Sequence, residues 1–164
     1  MSENRASMKP ASLVKSVLHN IGVVIVGFGV GFLGVAADSL LGWRGFKSLA
    51  AATGGCLLLA AGFLVRVWAT YLFYERHMKV ISLVPQKWLV TTGPYRFSRN
   101  PLYLGGNVFI FFGAALFLGS PAGLMITALH LPLADRFIRR EEKQLEHEFG
   151  ETWVRYKNQV RRWI

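Results

Sequence analysis

The chain has 164 residues, the size of one domain. Hydrophobic residues make up 52% of it and charged residues 17%, well below the usual quarter of a soluble domain, so the composition points to lipid rather than water. The net charge of +10 fits basic residues held on one membrane face, and with that explanation nucleic-acid binding is set aside.

Residues 16–37 carry no charge and only two strongly polar side chains, His19 and Asn20. As a helix they reach about 33 Å, enough to cross a ~30 Å hydrocarbon core. The apolar part is too long for a signal peptide, and Ala36-Ala37-Asp38 is a poor cleavage site, so a retained first span is expected. Gly29-Val30-Gly31-Phe32-Leu33-Gly34 spells GxGxxG. A dinucleotide loop needs a preceding strand and a helix start, and this stretch lies mid-span. Together with Gly27xxxGly31 it reads as close helix packing.

Residues 48–74 form a second span, interrupted only by Arg66 and containing the lone Cys56. One cysteine excludes an internal disulfide and a multi-cysteine metal site, and Cys56 reads as a small packing residue. Arg66 has two readings at this stage. It snorkels to the headgroups, or it faces the bundle and holds Glu75 or an acidic ligand group. The run from Leu102 to Ala134 is again uncharged and too long for one crossing; Gly119-Ser120-Pro121 breaks it into roughly 102–118 and 121–138. The expected fold is therefore all-α, a polytopic membrane protein with about four spans.

Positive-inside counting places both ends and the 75–101 loop in the cytoplasm. Arg5, Lys9 and Lys15 precede the first span, and Lys and Arg crowd the 75–101 loop and the residues from Arg136 onward. This brings the polar cluster GPYRFSRNPLYLGG, residues 93–106, and the charged segment after the last span to one membrane surface. Ile138, Leu145 and Phe149 trace one helix face with Gly150 as its cap. Trp153, Tyr156 and Val160 then mark a short amphipathic helix lying back on the membrane. The four histidines show no metal-ligand spacing, and no nucleophile triad is apparent, so no metal is expected.

LVTTGPYRFSRNPLYLGG (89–106), a helix-pair-sized gap and EEKQLEHEFGETWVRYKNQVRRW (141–163) resemble the isoprenylcysteine carboxyl methyltransferase family, membrane-embedded enzymes that use S-adenosylmethionine. The likeness covers about residues 62–163, including LVRVWA at 64–69. It divides the chain into 1–61, with a tail, the first span and the start of the second, and 62–164 as a methyltransferase-like region. The resemblance implies a cofactor site formed by Lys87, Trp88, Leu89, Val90, Tyr95, Arg99, Asn100, Pro101, Leu102 and Tyr103. Glu141 would close it and Glu142 would stand as a second carboxylate.

By the same resemblance the protein would transfer a methyl group from S-adenosylmethionine to a lipophilic acceptor from the bilayer, with Arg136 and Arg66 as candidate acceptor contacts. A phospholipid amine methyltransferase and an NADPH-dependent sterol-reductase-like protein are the alternatives, along with a non-catalytic interaction module. Two departures stand out. The family's RHP is Arg99-Asn100-Pro101 here, and its acceptor-binding arginine aligns with Phe137.

Overall fold

The computed structural model describes residues 9–80 and 87–164. Arg5 and part of the 75–101 loop therefore lie outside the described residues. The described residues form helices and turns without a strand. Three helices are long and apolar enough to cross a membrane: α1 (Pro10–Leu41), α2 (Leu49–Glu75) and α3 (Pro101–Leu118). A fourth long helix, α4 (Pro121–Phe149), and a short one, α5 (Glu151–Gln159), follow.

The bundle is built inside out relative to a soluble domain. The buried positions of α1 are Ser12, Ser16, Asn20, Gly27, Gly31, Gly34 and Asp38, while Leu18, Ile25, Phe32 and Leu33 point outward. Lipid tails are as apolar as leucine, so hydrophobicity alone does not join such helices, and close backbone approach does. A Cβ on Gly62 of α2 would stand 2.6 Å from the Gly105 carbonyl oxygen of α3, and one on Gly55 would stand 2.7 Å from that of Gly113. On α1, added carbons at Gly27 and Gly31 would strike Ile110 and Leu118 of α3 at 2.7 and 2.8 Å. Gly27xxxGly31 and, within the GxGxxG stretch, Gly31 and Gly34 are thus helix contacts, whereas Gly29 is exposed with open space around it. Cys56 departs from its expected packing role: it is exposed on the outer side of α2, because the contact face falls to Gly55 and Gly62 instead.

The ends of the elements follow from local chemistry. Ser48 caps α2, and His77, in the left-handed region at φ 54°, turns the chain out of it. Gly119 stops α3 at φ 64°, and Ser120 caps α4, accepting the Gly123 N–H at 2.9 Å. The break expected at 119–121 is a tight helical hairpin. Asp38, at the end of α1, accepts Ser120 Oγ at 2.6 Å and the Ala122 N–H at 2.9 Å, a side-chain carboxylate on a helix N-terminus.

α4 packs its first half on α1 and α3 and continues unbroken through the charged segment to Phe149, with Pro132 inside it. It is not among the helices apolar enough to span by composition, because His130, Pro132, Asp135 and Arg136 dilute its apolar stretch. Trp153 and Tyr156 of α5 are buried against protein rather than laid on a membrane surface, and α5 ends before Val160.

Asp38→Ala leaves the Ser120 hydroxyl and the Ala122 N–H without their acceptor, at roughly 1–3 kcal/mol for each orphaned buried group. Thermal unfolding of the purified protein in detergent should show this loss of stability.

Candidate active site

The helical hairpin of α3 and α4 starts and finishes at one end of the bundle, so the beginning of α3 and the second half of α4 lie side by side there. Between them opens a cavity of about 270 Å³, near the lower bound of the ~300–1,000 Å³ usual for small-molecule sites. Its floor is Arg66 of α2 with His19 of α1. One wall is Trp88, Leu89, Val90 and Tyr95, the next is Arg99, Asn100, Leu102, Tyr103 and Asn107, and Glu141, Leu145, Trp153 and Tyr156 close it from α4 and α5.

Each wall has a local cause. A 3₁₀ turn, Gly93–Arg96, follows Gly93 at φ 62°, where a Cβ would lie 2.9 Å from Trp68 Nε1. That turn sinks Tyr95 into a core with Ala69, Phe73, Met78 and Val90, its ring 6.0 Å from that of Phe73. Pro101 opens α3 at a position where its missing N–H costs nothing. The helix then widens to the i→i+5 pattern over Leu104–Ile110, beside Arg66.

Arg66 faces the bundle. Its Nε donates to Asn20 Oδ1 at 2.8 Å and its Nη1 to the Leu102 carbonyl at 2.5 Å, joining α1, α2 and α3. Asn20 also donates to Thr70 at 2.8 Å, and Thr70 is hydrogen-bonded to Ser16. Among the described residues no carboxylate pairs with Arg66, so Glu75 is not its partner; Glu75 accepts from Tyr71 at 3.3 Å.

On the opposite wall the Tyr103 hydroxyl donates to Glu141 Oε1 at 2.8 Å, spanning the mouth of the hairpin. Tyr156 donates to the Tyr95 carbonyl at 2.7 Å and packs its ring on Trp153. Arg99 lies over the Trp153 ring at 5.9 Å. Two buried donors among the cavity residues, Arg99 Nε and Trp153 Nε1, have no acceptor among the described residues. Buried donors are rarely left so, and each marks a place for an acceptor atom from elsewhere.

Most of the residues expected from sequence meet here, and four do not line the cavity. Lys87 is exposed beside Trp88, and Arg136 is exposed on α4 with Phe137, both turned away from the cavity by their helix or loop position. Glu142 is one residue, or ~100° of helix, from Glu141. It is buried in an ion-pair cluster with Arg99 and Arg162 instead. Pro101 is buried as the first residue of α3. Sequence reasoning missed Phe73, Met78, Asn107, Leu145 and the cavity roles of His19, Trp153 and Tyr156. For His19 a signal existed: it is one of two strongly polar side chains in an apolar span.

Burial pushes the Tyr95 and Tyr156 phenols well above the ordinary tyrosine range; Tyr156 adds to the effect on Tyr95, and Arg99 opposes it at Tyr156. Hydrogen bonding to Glu142 raises Arg162, against a smaller effect of partial burial.

The class defined by fold and site is a helical membrane protein with a small-molecule cavity at one end of its bundle. The phospholipid methyltransferase family profile matches residues 50–152, and the chain belongs to that family. It is 35% identical over 114 residues to the protein-S-isoprenylcysteine O-methyltransferase of Saccharomyces cerevisiae, an overlap of 65% of this chain and 45% of that protein. The chain thus spans less than half the length of this curated relative. No solved structure matches the chain.

The two raised tyrosines set a pH dependence. An unfolded chain releases its phenol protons near pH ~10 while the folded chain retains them, so stability present below that pH is lost as pH climbs above it. Unfolding temperatures taken between pH 8 and 11 should hold level at first and then fall. In a Tyr95→Phe, Tyr156→Phe variant the alkaline fall should be shallower.

Proposed function

We propose that the cavity binds S-adenosylmethionine and that the protein transfers its methyl group to a lipophilic acceptor entering from the bilayer. The observation that carries this reading is the convergence on one small cavity of a carboxylate, aromatic faces and two residues whose buried donors have no acceptor among the described residues. S-Adenosylmethionine presents a sulfonium and an ammonium, which suit Tyr95, Trp88 and the Glu141 carboxylate. It also carries a carboxylate and ribose hydroxyls, which suit Arg99 Nε and Trp153 Nε1. The residues present therefore fit the cofactor, and the family membership supports it.

When bound, the cofactor supplies an electrophilic methyl group on sulfur. The chain's own part is then proximity and a dry pocket rather than a nucleophile. In this reading Leu89, Val90 and Leu102 exclude water, and the backbone near Lys87 and Pro101 lines the approach. Glu141, oriented by the Tyr103 hydroxyl, holds the cofactor ammonium. Arg66 is the acceptor contact, since Arg136 stands outside the cavity. A half-buried guanidinium with no paired carboxylate among the described residues favours an acceptor with an anionic group. The acceptor is a lipidated carboxylate on this view. The family's description supports a phospholipid amine as the second reading.

The same reading assigns residues 121–138 as a fourth, short span and puts the cavity, both chain ends and α5 on the cytoplasmic side, in keeping with the basic residues there. The catalytic region begins near residue 62 but draws His19 and Asn20 from α1.

Two measurements test this. Calorimetry should detect S-adenosylmethionine binding and no comparable NADPH binding. Glu141→Gln should weaken it by about 1.5–3 kcal/mol, the scale of one charge-assisted hydrogen bond. Glu148→Gln, at a residue that bonds Gln144 and lies outside the cavity lining, should bind like the parent. If Glu141→Gln binds normally, the site is drawn in the wrong place. Incubation with methyl-labelled cofactor and host membranes then identifies the acceptor: base-labile label marks a carboxyl ester, base-stable label in lipid an amine.

A further inference from the structure

Between the 3₁₀ turn and α3, Ser98, Arg99 and Asn100 belong to no regular element, and Arg99 and Asn100 line the cavity. The Ser98 N–H donates to the Pro94 carbonyl and the Asn100 N–H to Ser98 Oγ, and the remaining bonds reach mainly the segment at the end of α5 and just after it. The Arg99 N–H donates to the Arg161 carbonyl at 2.9 Å, and Ser98 Oγ donates to the Arg162 carbonyl at 3.0 Å. Arg99 Nη1 donates to the Lys157 carbonyl at 2.8 Å. The same stretch of chain is also locked to α4 by charge. Glu142, only 7% exposed, receives Arg162 Nη2 at 2.6 Å and Nε at 3.2 Å, and Arg99 Nη2 at 3.2 Å. Asp135 completes the cluster at 3.4 Å from Arg162 Nη1 and is itself paired with Arg139 at 2.6 Å, so three guanidiniums face two carboxylates.

We infer that Arg162 is a positioning residue: acting through Glu142, it clasps the segment after α5 onto the cavity wall and so sets the orientation of Arg99. Three of the guanidinium's nitrogens bear on this. Nη1 and Nη2 are taken by the clasp, and Nε, on a residue that lines the cavity, is left for an acceptor. A guanidinium is planar, so fixing two of its nitrogens fixes the direction of the third. Arg162 itself does not line the cavity; its effect on a ligand passes through Arg99 and the backbone of Ser98–Asn100. A carboxylate buried between two arginines is strongly destabilising when one partner is removed, which makes the clasp sensitive to a single change.

The effect on cofactor affinity rests on the proposed function, whereas the effect on the wall does not. The test therefore has two arms. Hydrogen exchange of the ligand-free protein follows residues 98–100 and, at the far end of the bundle, residues 120–124. Arg162→Gln should speed exchange at 98–100 tenfold or more and leave 120–124 at the parental rate. Arg162→Lys, which keeps the charge but not the bidentate contact, should fall between. Asp38→Ala should show the reverse pattern, with 120–124 loosened and 98–100 unchanged. Calorimetry with S-adenosylmethionine should then show about tenfold weaker binding for Arg162→Gln and partial recovery for Arg162→Lys. Parental exchange at 98–100 in Arg162→Gln overturns the inference, as does an equal rise at both ends, which marks general destabilisation. If Arg162→Gln does not accumulate, Arg162→Lys is read against the same two regions. A parent that fails to bind S-adenosylmethionine sinks the functional reading alone, since the exchange arm still decides the clasp.

Discussion

The structure turns on one charge in an apolar bundle. Arg66 sits within a helix long and apolar enough to cross a membrane, and a guanidinium there must have its donors satisfied. It reaches Asn20 on one side and the Leu102 carbonyl on the other, so that α1, α2 and α3 share a single hydrogen-bonded node. Much else is consequence. A Cβ on Gly105 would lie 2.7 Å from Arg66 Cγ, and one on Gly106 2.8 Å from Nη1, so the glycine pair lets the long side chain cross α3 at close range. A donor inserted at the Leu102 carbonyl also disturbs the first turn of the helix, and the wider i→i+5 stretch begins two residues later. The widened turn carries Asn107 at the cavity.

The two ends of the bundle use carboxylates for different ends. At one, Asp38 caps α4 and ties the α3–α4 hairpin to α1, with every acceptor bond directed at protein. At the other, Glu141 and Glu142 are adjacent in sequence and divided by helix rotation. Glu142 turns toward Arg99 and Arg162 and is fully engaged in holding structure. Glu141 turns toward the cavity and meets Tyr103. Between these ends, α4 runs without a break for 29 residues, about 43 Å at 1.5 Å per residue. A single rigid rod thus sets the position of the cavity carboxylate relative to the hairpin that anchors it.

The residues that make this legible from sequence are those with a strong local pattern. Uncharged runs identify α1, α2 and α3, Gly119-Ser120-Pro121 marks the hairpin, and the hairpin requires its two polar flanks to meet. The flanks do meet, at Tyr103 and Glu141. Span counting fared worse for α4, where Pro132, Asp135 and Arg136 lower its apolar character although its first half packs within the bundle. Rotation about a helix was legible only where period and chemistry agree. Ile138 is buried as expected, yet Cys56 faces outward because its neighbour Gly55 takes the contact. The amphipathic face of α5 is real, but an apolar stripe says only that something covers it. Here the cover is the Tyr95 turn and not lipid.

Asn100 shows how a departure from a family pattern is absorbed by its surroundings. The resemblance places a histidine at this position, and a neutral imidazole has one N–H to donate while its other nitrogen accepts. The asparagine amide has two donors, and both face oxygens, Glu142 Oε1 and the Arg162 carbonyl, each at 3.4 Å. Those bonds are long, and the strong contacts in the cluster belong to the arginines. The amide therefore adds little attraction of its own. Its contribution is to present donors to a buried carboxylate without ever changing charge. A histidine there would titrate near neutrality and would alter the balance of guanidiniums against carboxylates each time it did. With asparagine, the charge at this point of the cavity wall stays constant across the physiological pH range. The wall that Arg99 belongs to is then governed by the ion pairs that meet at Glu142.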